Sequence, residues 1–170
     1  MTTETLQIRP IQLEDATAFL ALCTQLDRES TLMMLEPDER TSTLEELNER
    51  IARLLASSNS TILVVDTGAG LCGYIEAEGG SFRRNRHSAM LVVGILQAYA
   101  GRGLGGKLFA AIEEWAQQQA IHRLELTVQT HNERALHLYR RCGFEIEGTR
   151  RHSLLVDGFY IDEYALAKLI

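Results

Sequence analysis

Apolar and polar residues alternate through Leu6-Gln7-Ile8-Arg9. This is the period of a short strand, and Pro10 ends it because proline has no amide to give to a ladder. The period then becomes helical: Ala16, Phe19, Leu20, Leu22 and Cys23 form one stripe. A second runs through Leu44, Leu47, Ile51, Leu54 and Leu55, behind a Thr43/Glu46 pair with the form of a capping box. After the Ser57-Ser58-Asn59-Ser60 break, Thr61–Asp66 and Leu71–Ile75 flank Thr67-Gly68-Ala69-Gly70 and predict an antiparallel hairpin. Beyond a polar loop, Gly79 to His87, the apolar run Ser88–Ile95 suits a central strand buried on both faces.

Leu104, Leu108, Ile112 and Trp115 then predict an amphipathic helix, and Leu124-Glu125-Leu126-Thr127-Val128 alternates as a strand. Asn132 can cap a further helix with the stripe Ala135, Leu138, Tyr139 and Cys142, which Gly143 stops. Strands from Phe144 and from Phe159, joined by an Asp157-Gly158 turn, close the chain. The order strand, two helices, three strands, helix, strand, helix, two strands predicts a mixed α/β sheet packed by helices. No linker or repeat divides residues 1–170, which read as one domain.

The chain carries 17 Lys+Arg against 23 Asp+Glu, a net charge of −6, so no overall field draws it to nucleic acid. No apolar run reaches the length of a membrane helix, and Met1-Thr2-Thr3-Glu4-Thr5 lacks the charge and apolar stretch of a secretory signal. Cys23, Cys72 and Cys142 are too dispersed for zinc or redox pairs, which predicts no metal and a reducing, cytoplasmic setting.

Ala100-Gly101-Arg102-Gly103-Leu104-Gly105-Gly106 lies between the buried strand and a helix start. Without side chains, backbone amides can converge on an anion at the positive end of the helix, and a pyrophosphate is the simplest ligand. The segment is no P-loop, since Lys107-Leu108 replaces the closing Lys-Ser/Thr. Gly101, Gly103, Gly106 and Glu125 do match dinucleotide spacing, so a nicotinamide or flavin oxidoreductase is one alternative. Six residues, Leu96 to Gly101, follow the strand-like run, however, and only 64 residues follow Gly106. A helix entry that needs close packing is another reading of the same glycines.

Val93 to Leu108 together with Asn132 to Phe144 resembles the GNAT superfamily of acetyl-CoA-dependent N-acetyltransferases. The family signature is Gln or Arg, two free positions, Gly, one free position, then Gly or Ala. Gly103 and Gly105 match it, and Ala100 departs from it, which removes a side-chain contact and keeps the amides. The resemblance implies a mostly antiparallel central sheet of about seven strands with about four helices and splayed central strands. It implies acetyl-CoA as cofactor, with CoA as product. Arg102, Gly103, Leu104, Gly105, Gly106 and Lys107 would hold the phosphates, and the Ile95 amide would polarise the thioester. Leu96 and Gln97 would lie beside the pantetheine arm, Asn132 would contact it, and Tyr139 would protonate the sulfur. Glu147 to Arg151 and Asp157 to Tyr164 resemble a branch acting on free amino acids, small amines and ribosomal-protein N-termini.

Acetyl transfer to an amine needs a neutral amine, a place for the oxyanion and a proton for the thiolate. A phenol near pKa 10 facing a thiol near 8.5 is uphill by about 2 kcal/mol, so Tyr139 assists rather than decides. Glu125, Glu76, His87 or a water chain can accept the amine's proton, with Glu125 the first choice. Arg83-Arg84-Asn85-Arg86 fits a contact to the ribose 3′-phosphate of CoA, an acidic acceptor or a solvated loop, and Met33-Met34-Leu35 an acceptor pocket or core. The expected partner is a small-molecule amine or peptide N-terminus, with neither nucleic acid nor membrane. Late strand edges leave room for a homodimer. A non-catalytic acyl-CoA-binding protein on the same scaffold is the remaining alternative.

Overall fold

The structure, a computed structural model, describes residues 5–170. Residues 1–4, which carry most of the segment read as lacking a secretory signal, lie outside the described residues. The chain runs β1 (Gln7–Pro10), α1 (Ala16–Glu29), α2 (Leu44–Ala56), β2 (Thr61–Asp66), β3 (Leu71–Gly79) and β4 (Ser88–Ile95). It continues with α3 (Leu104–Gln118), β5 (Arg123–Gln129), α4 (Glu133–Arg141), β6 (Glu145–Val156) and β7 (Phe159–Leu169). The strands form one sheet in the order β1-β2-β3-β4-β5-β7-β6.

Local chemistry sets the boundaries. Thr43 accepts from the Glu46 amide while the Glu46 carboxylate accepts from Thr43 N–H, so the capping box that opens α2 is complete. Gly143 ends α4 at φ +87°, and Asp157 and Gly158 turn the last hairpin with φ of 51° and 81°, the left-handed pair its tight turn requires.

Two cores lie on opposite faces. Against α3 and α4 pack Leu63, Val65, Ile75, Leu91, Leu124, Leu126, Val128 and Leu166, drawn from both halves of the sheet. On the other face, α1 and α2 bury Ile62, Val64 and Tyr74 of β2 and β3, with Leu71 partly buried against them. This corrects the reading of β4 as buried on both faces: Ala89 and Leu91 are buried, but Met90 and Val92 are 42% and 44% exposed. The helical cover stops short of that part of β4. It resumes at Gly94, where an added Cβ would lie 2.7 Å from Leu26 Cδ1 of α1.

Every strand pair is antiparallel except β4 with β5. That pair is joined only through Ser88↔Arg123, Ala89↔Leu124 and Met90↔Glu125. Beyond it, β4 stays with β3 as far as Ile95 and β5 stays with β7 as far as Gln129, so the sheet splits at its centre.

Candidate active site

The register decides what faces the split. Leu96 N–H donates to Cys72 O (2.9 Å), and the β3–β4 ladder runs from Ala89 to Ile95 without a shift. Amide directions alternate along an antiparallel strand, so those of Val93 and Ile95 turn away from β3 toward the space β5 has left. Ile95 was expected there, and Val93 is a second such amide that motif reading missed. Leu96 spends its amide on Cys72, and Gln97 donates its own to Glu29 Oε2 at 2.8 Å. These two residues therefore offer side chains and carbonyls, not amides, to a ligand in the split.

At the end of β4 the chain passes Gly101 (φ +78°) and Gly103 (φ +76°) into α3. No side chain caps α3, and its first backbone bond is made by Lys107 N–H to Gly103 O, so the amides of Leu104, Gly105 and Gly106 stand at its positive end without helical partners. A Cβ at Gly101, Gly103 or Gly106 would meet nothing within 4 Å, whereas at Gly105 it would lie 2.7 Å from Leu138 Cδ2 of α4. The glycines therefore differ: Gly105 serves close packing, and Gly101, Gly103 and Gly106 leave open space at the start of α3. Leu104 offers only its amide, since its side chain is core. Arg102 lies back on the preceding turn, with Nη2 3.2 Å from Ala98 O and its guanidinium 4.8 Å from the Tyr99 ring centroid. Lys107 is exposed on the first turn of α3.

Beside this cradle is a cavity of about 430 Å³ between α3 and α4, lined in part by Gly103, Gly106, Phe109, Leu138, Arg141 and Cys142. Arg141 and Cys142, at the end of α4, thus line a cavity and are not only a helix-end cation and a core side chain. Asn132 caps α4, its Oδ1 accepting from the Ala135 amide at 3.2 Å. One face of α4 also carries Tyr139, packed edge-on against Phe109 at 5.5 Å. Burial pushes the Tyr139 phenol up to about 12. Its hydroxyl makes no hydrogen bond among the described residues, where no buried side-chain polar atom lacks a partner, so it opens onto accessible space.

The other face of the split carries the carboxylates. Glu76 stands opposite Val92, and Glu78, Met90 and Glu125 form the next row down the strands. Glu76 is buried and its Oε1 accepts from Arg50 of α2. Among the described residues Oε2 accepts no hydrogen bond and is not an orphaned buried atom, so it keeps some exposure, and Glu76 lines the adjoining cavity of about 590 Å³. Glu125 accepts from Arg123 Nε at 2.8 Å, and the same guanidinium holds Glu147. It therefore sits in a network at the closed end of the split. His87 lies exposed at the start of β4, away from the open end. Glu163, which motif reading missed, is buried on β7 opposite Gln129 and accepts from Ser153 Oγ at 2.8 Å. Its signal was a carboxylate among the apolar residues of β7, hidden by the more visible Tyr160, Asp162 and Tyr164 on the opposite face.

The sequence profile of the acetyltransferase (GNAT) family matches residues 22–144. The chain belongs to that family. It is 24% identical over 155 residues to spermidine N(1)-acetyltransferase of Escherichia coli, covering 91% of this chain and 80% of that protein. A GNAT-family acetyltransferase from Streptococcus pneumoniae superposes with a TM-score of 0.94 at 33% identity, over 98% of this chain and 100% of the other. An acetyltransferase of Salmonella typhimurium solved with its cofactor acetyl-CoA has the same fold, with a TM-score of 0.85 at 18% identity over 96% and 93%. The protein is an acetyl-CoA-dependent N-acetyltransferase on a mixed, mostly antiparallel sheet. The open glycines and uncapped amides of the GNAT cradle fit the diphosphate of that cofactor. Among the described residues no cluster could hold a metal ion, and no helix is long and apolar enough to cross a membrane.

Proposed function

We propose that this N-acetyltransferase binds its two substrates on opposite faces of the split sheet and transfers the acetyl group through the gap between β4 and β5. The observation that carries this is the shared position of the split, the Val93 and Ile95 amides turned into it, and the glycine cradle at its open end. The amides of Leu104, Gly105 and Gly106 hold the diphosphate, Lys107 adds charge, and Asn132 contacts the arm through the amide nitrogen that its capping role leaves over. The thioester supplies an activated acyl group and a thiol leaving group. The Val93 and Ile95 N–H groups stabilise negative charge on the carbonyl oxygen. The Tyr139 hydroxyl donates a proton or hydrogen bond to the departing sulfur.

The acceptor is a primary amine of a small molecule or a peptide N-terminus, entering from the face where Met90 and Val92 are uncovered. Its proton passes to Glu76, which lies beside Val92 with one oxygen open. Glu125, the first choice from sequence, is favoured less because Arg123 engages it below that level. The free cysteines fit a cytoplasmic setting. The β6 edge of the sheet, with exposed Leu155 on β6 and exposed Phe159 and Tyr160 at the start of β7, suits a homodimer, which sedimentation velocity tests.

Calorimetry with CoA and acetyl-CoA, and CoA release across amino acids, polyamines, aminoglycosides and peptide N-termini, test the reading. Binding of both CoA and its acetyl thioester, and turnover of one amine class, are expected. Absence of CoA binding would overturn it.

A further inference from the structure

The cavity of about 590 Å³ beside Glu76 extends well beyond what an amino group needs. One wall is α2, with Arg50 and Arg53 one helical turn apart. The floor is β3, with Glu76 and then Glu78, and the far end is the turn after β3, with Gly79, Gly80, Ser81 and Arg86. The charges sort along its length. Glu76 is matched by Arg50 at the end nearest the split. At the other end, among the described residues, Arg53 has no carboxylate partner and the Arg86 side chain donates to Ser58 Oγ at 3.1 Å. Two guanidiniums thus face one further carboxylate, Glu78. A polycation would meet Arg50 where its first amine must react and two more arginines beyond. An amine with an anionic tail meets matched charge at both ends.

We infer that the acceptor carries an anionic group, such as a carboxylate, about 7 Å from the amine that reacts, and that Arg53 and Arg86 bind it. The separation is the distance two residues span along a strand, from the level of Glu76 to that of Glu78. Arg50 has a second effect: a fixed cation beside the amine disfavours its ammonium form and favours the neutral nucleophile. The inference rests on the acetyl-transfer reading and on entry of the acceptor beside Glu76.

The test uses the full chain with acetyl-CoA and a series of ω-amino acids from glycine to 6-aminohexanoate. Each is compared with its carboxamide, and with 1,5-diaminopentane as the dicationic control. Turnover is read as kcat/KM, and binding to the enzyme–CoA complex by calorimetry. The acids are expected to exceed their amides by about ten- to a hundredfold, the worth of one charge-assisted hydrogen bond, with the longer acids preferred. R53Q/R86Q is expected to bring the acid-to-amide ratio toward one through KM, not kcat. Amides or the diamine equal to the acids, no binding by any series member, or a ratio unmoved in R53Q/R86Q would overturn the inference. The acetyl-transfer reading fails separately, by loss of CoA binding.

Discussion

Gly105 of α3 meets Leu138 of α4 so closely that an added Cβ would lie 2.7 Å from Leu138 Cδ2, while one at Gly106 would meet nothing within 4 Å. Neighbouring glycines in one turn therefore differ: one is closed by packing, the other stands open where the diphosphate is proposed to bind. G105A is expected to lower stability by about 1 kcal/mol, since the Leu138 methyl must shift. G106A is expected to hold or slightly raise stability, because alanine is the better helix former, yet to weaken CoA binding by filling the cradle. Thermal unfolding and calorimetry on both variants check this. A G106A protein that binds CoA normally would remove that position from the cradle.

Tyr139 supports a second prediction. With its phenol raised to about 12, it is a weaker acid than sequence alone suggested, so Y139F is expected to lower turnover by about a hundredfold at most. The same burial has a stability consequence of definite sign. Between pH 10 and about 12 the unfolded chain releases the phenolic proton and the folded chain keeps it. This contribution is whole below pH 10 and falls by about 2 to 3 kcal/mol as pH rises to 12. Urea unfolding of wild type and Y139F over pH 9 to 12 should show a shallower alkaline loss in the variant.

Particular residues show how far the sequence could be read. Thr43 with Glu46, Asp157-Gly158 and Gly143 announced their elements because capping and left-handed turns depend on the residues themselves. The β4 run could not be read the same way. Ser88–Ile95 is apolar enough for a strand covered twice, but where α1 and α2 stop is a tertiary fact, and it left Met90 and Val92 bare beside the acceptor entrance. Gly105 and Gly106 likewise look alike in sequence, and only Leu138 tells them apart. The Val93 amide follows from ladder register, and the Arg50–Glu76 pair joins residues on α2 and β3 that share no local pattern.

Arg9 joins β1 to its surroundings through Asp15 Oδ2 at 2.7 Å and Asp66 Oδ2 at 2.9 Å. The Arg9 guanidinium holds the Asp15 carboxyl below its usual range, and the Gly68 amide, followed by Arg9, does the same for Asp66. Carboxyls lowered on folding stabilise above their unfolded pKa and lose that contribution as pH falls through the folded value. R9M is expected to cost about 1 to 2 kcal/mol at neutral pH, discounted for partial exposure. The gap from wild type should narrow toward pH 3, as thermal unfolding at the two pH values would show.

Glu76 and Glu125 offer the sharpest choice in the proposed mechanism. Glu76 has an oxygen open to the acceptor cavity beside Val92, whereas Glu125 shares Arg123 with Glu147 at the last rung before the split. If Glu76 takes the amine's proton, E76Q removes the base and keeps the side chain's size, and turnover should fall by about a hundredfold or more near neutral pH. The remaining rate should then climb about tenfold per pH unit toward the amine's own pKa, because only the unprotonated acceptor reacts. E125Q should show a smaller loss and the wild-type pH profile. CoA calorimetry on each variant confirms that the cofactor side is intact. The opposite ranking, with the steep profile in E125Q, would move the base across the split to β5.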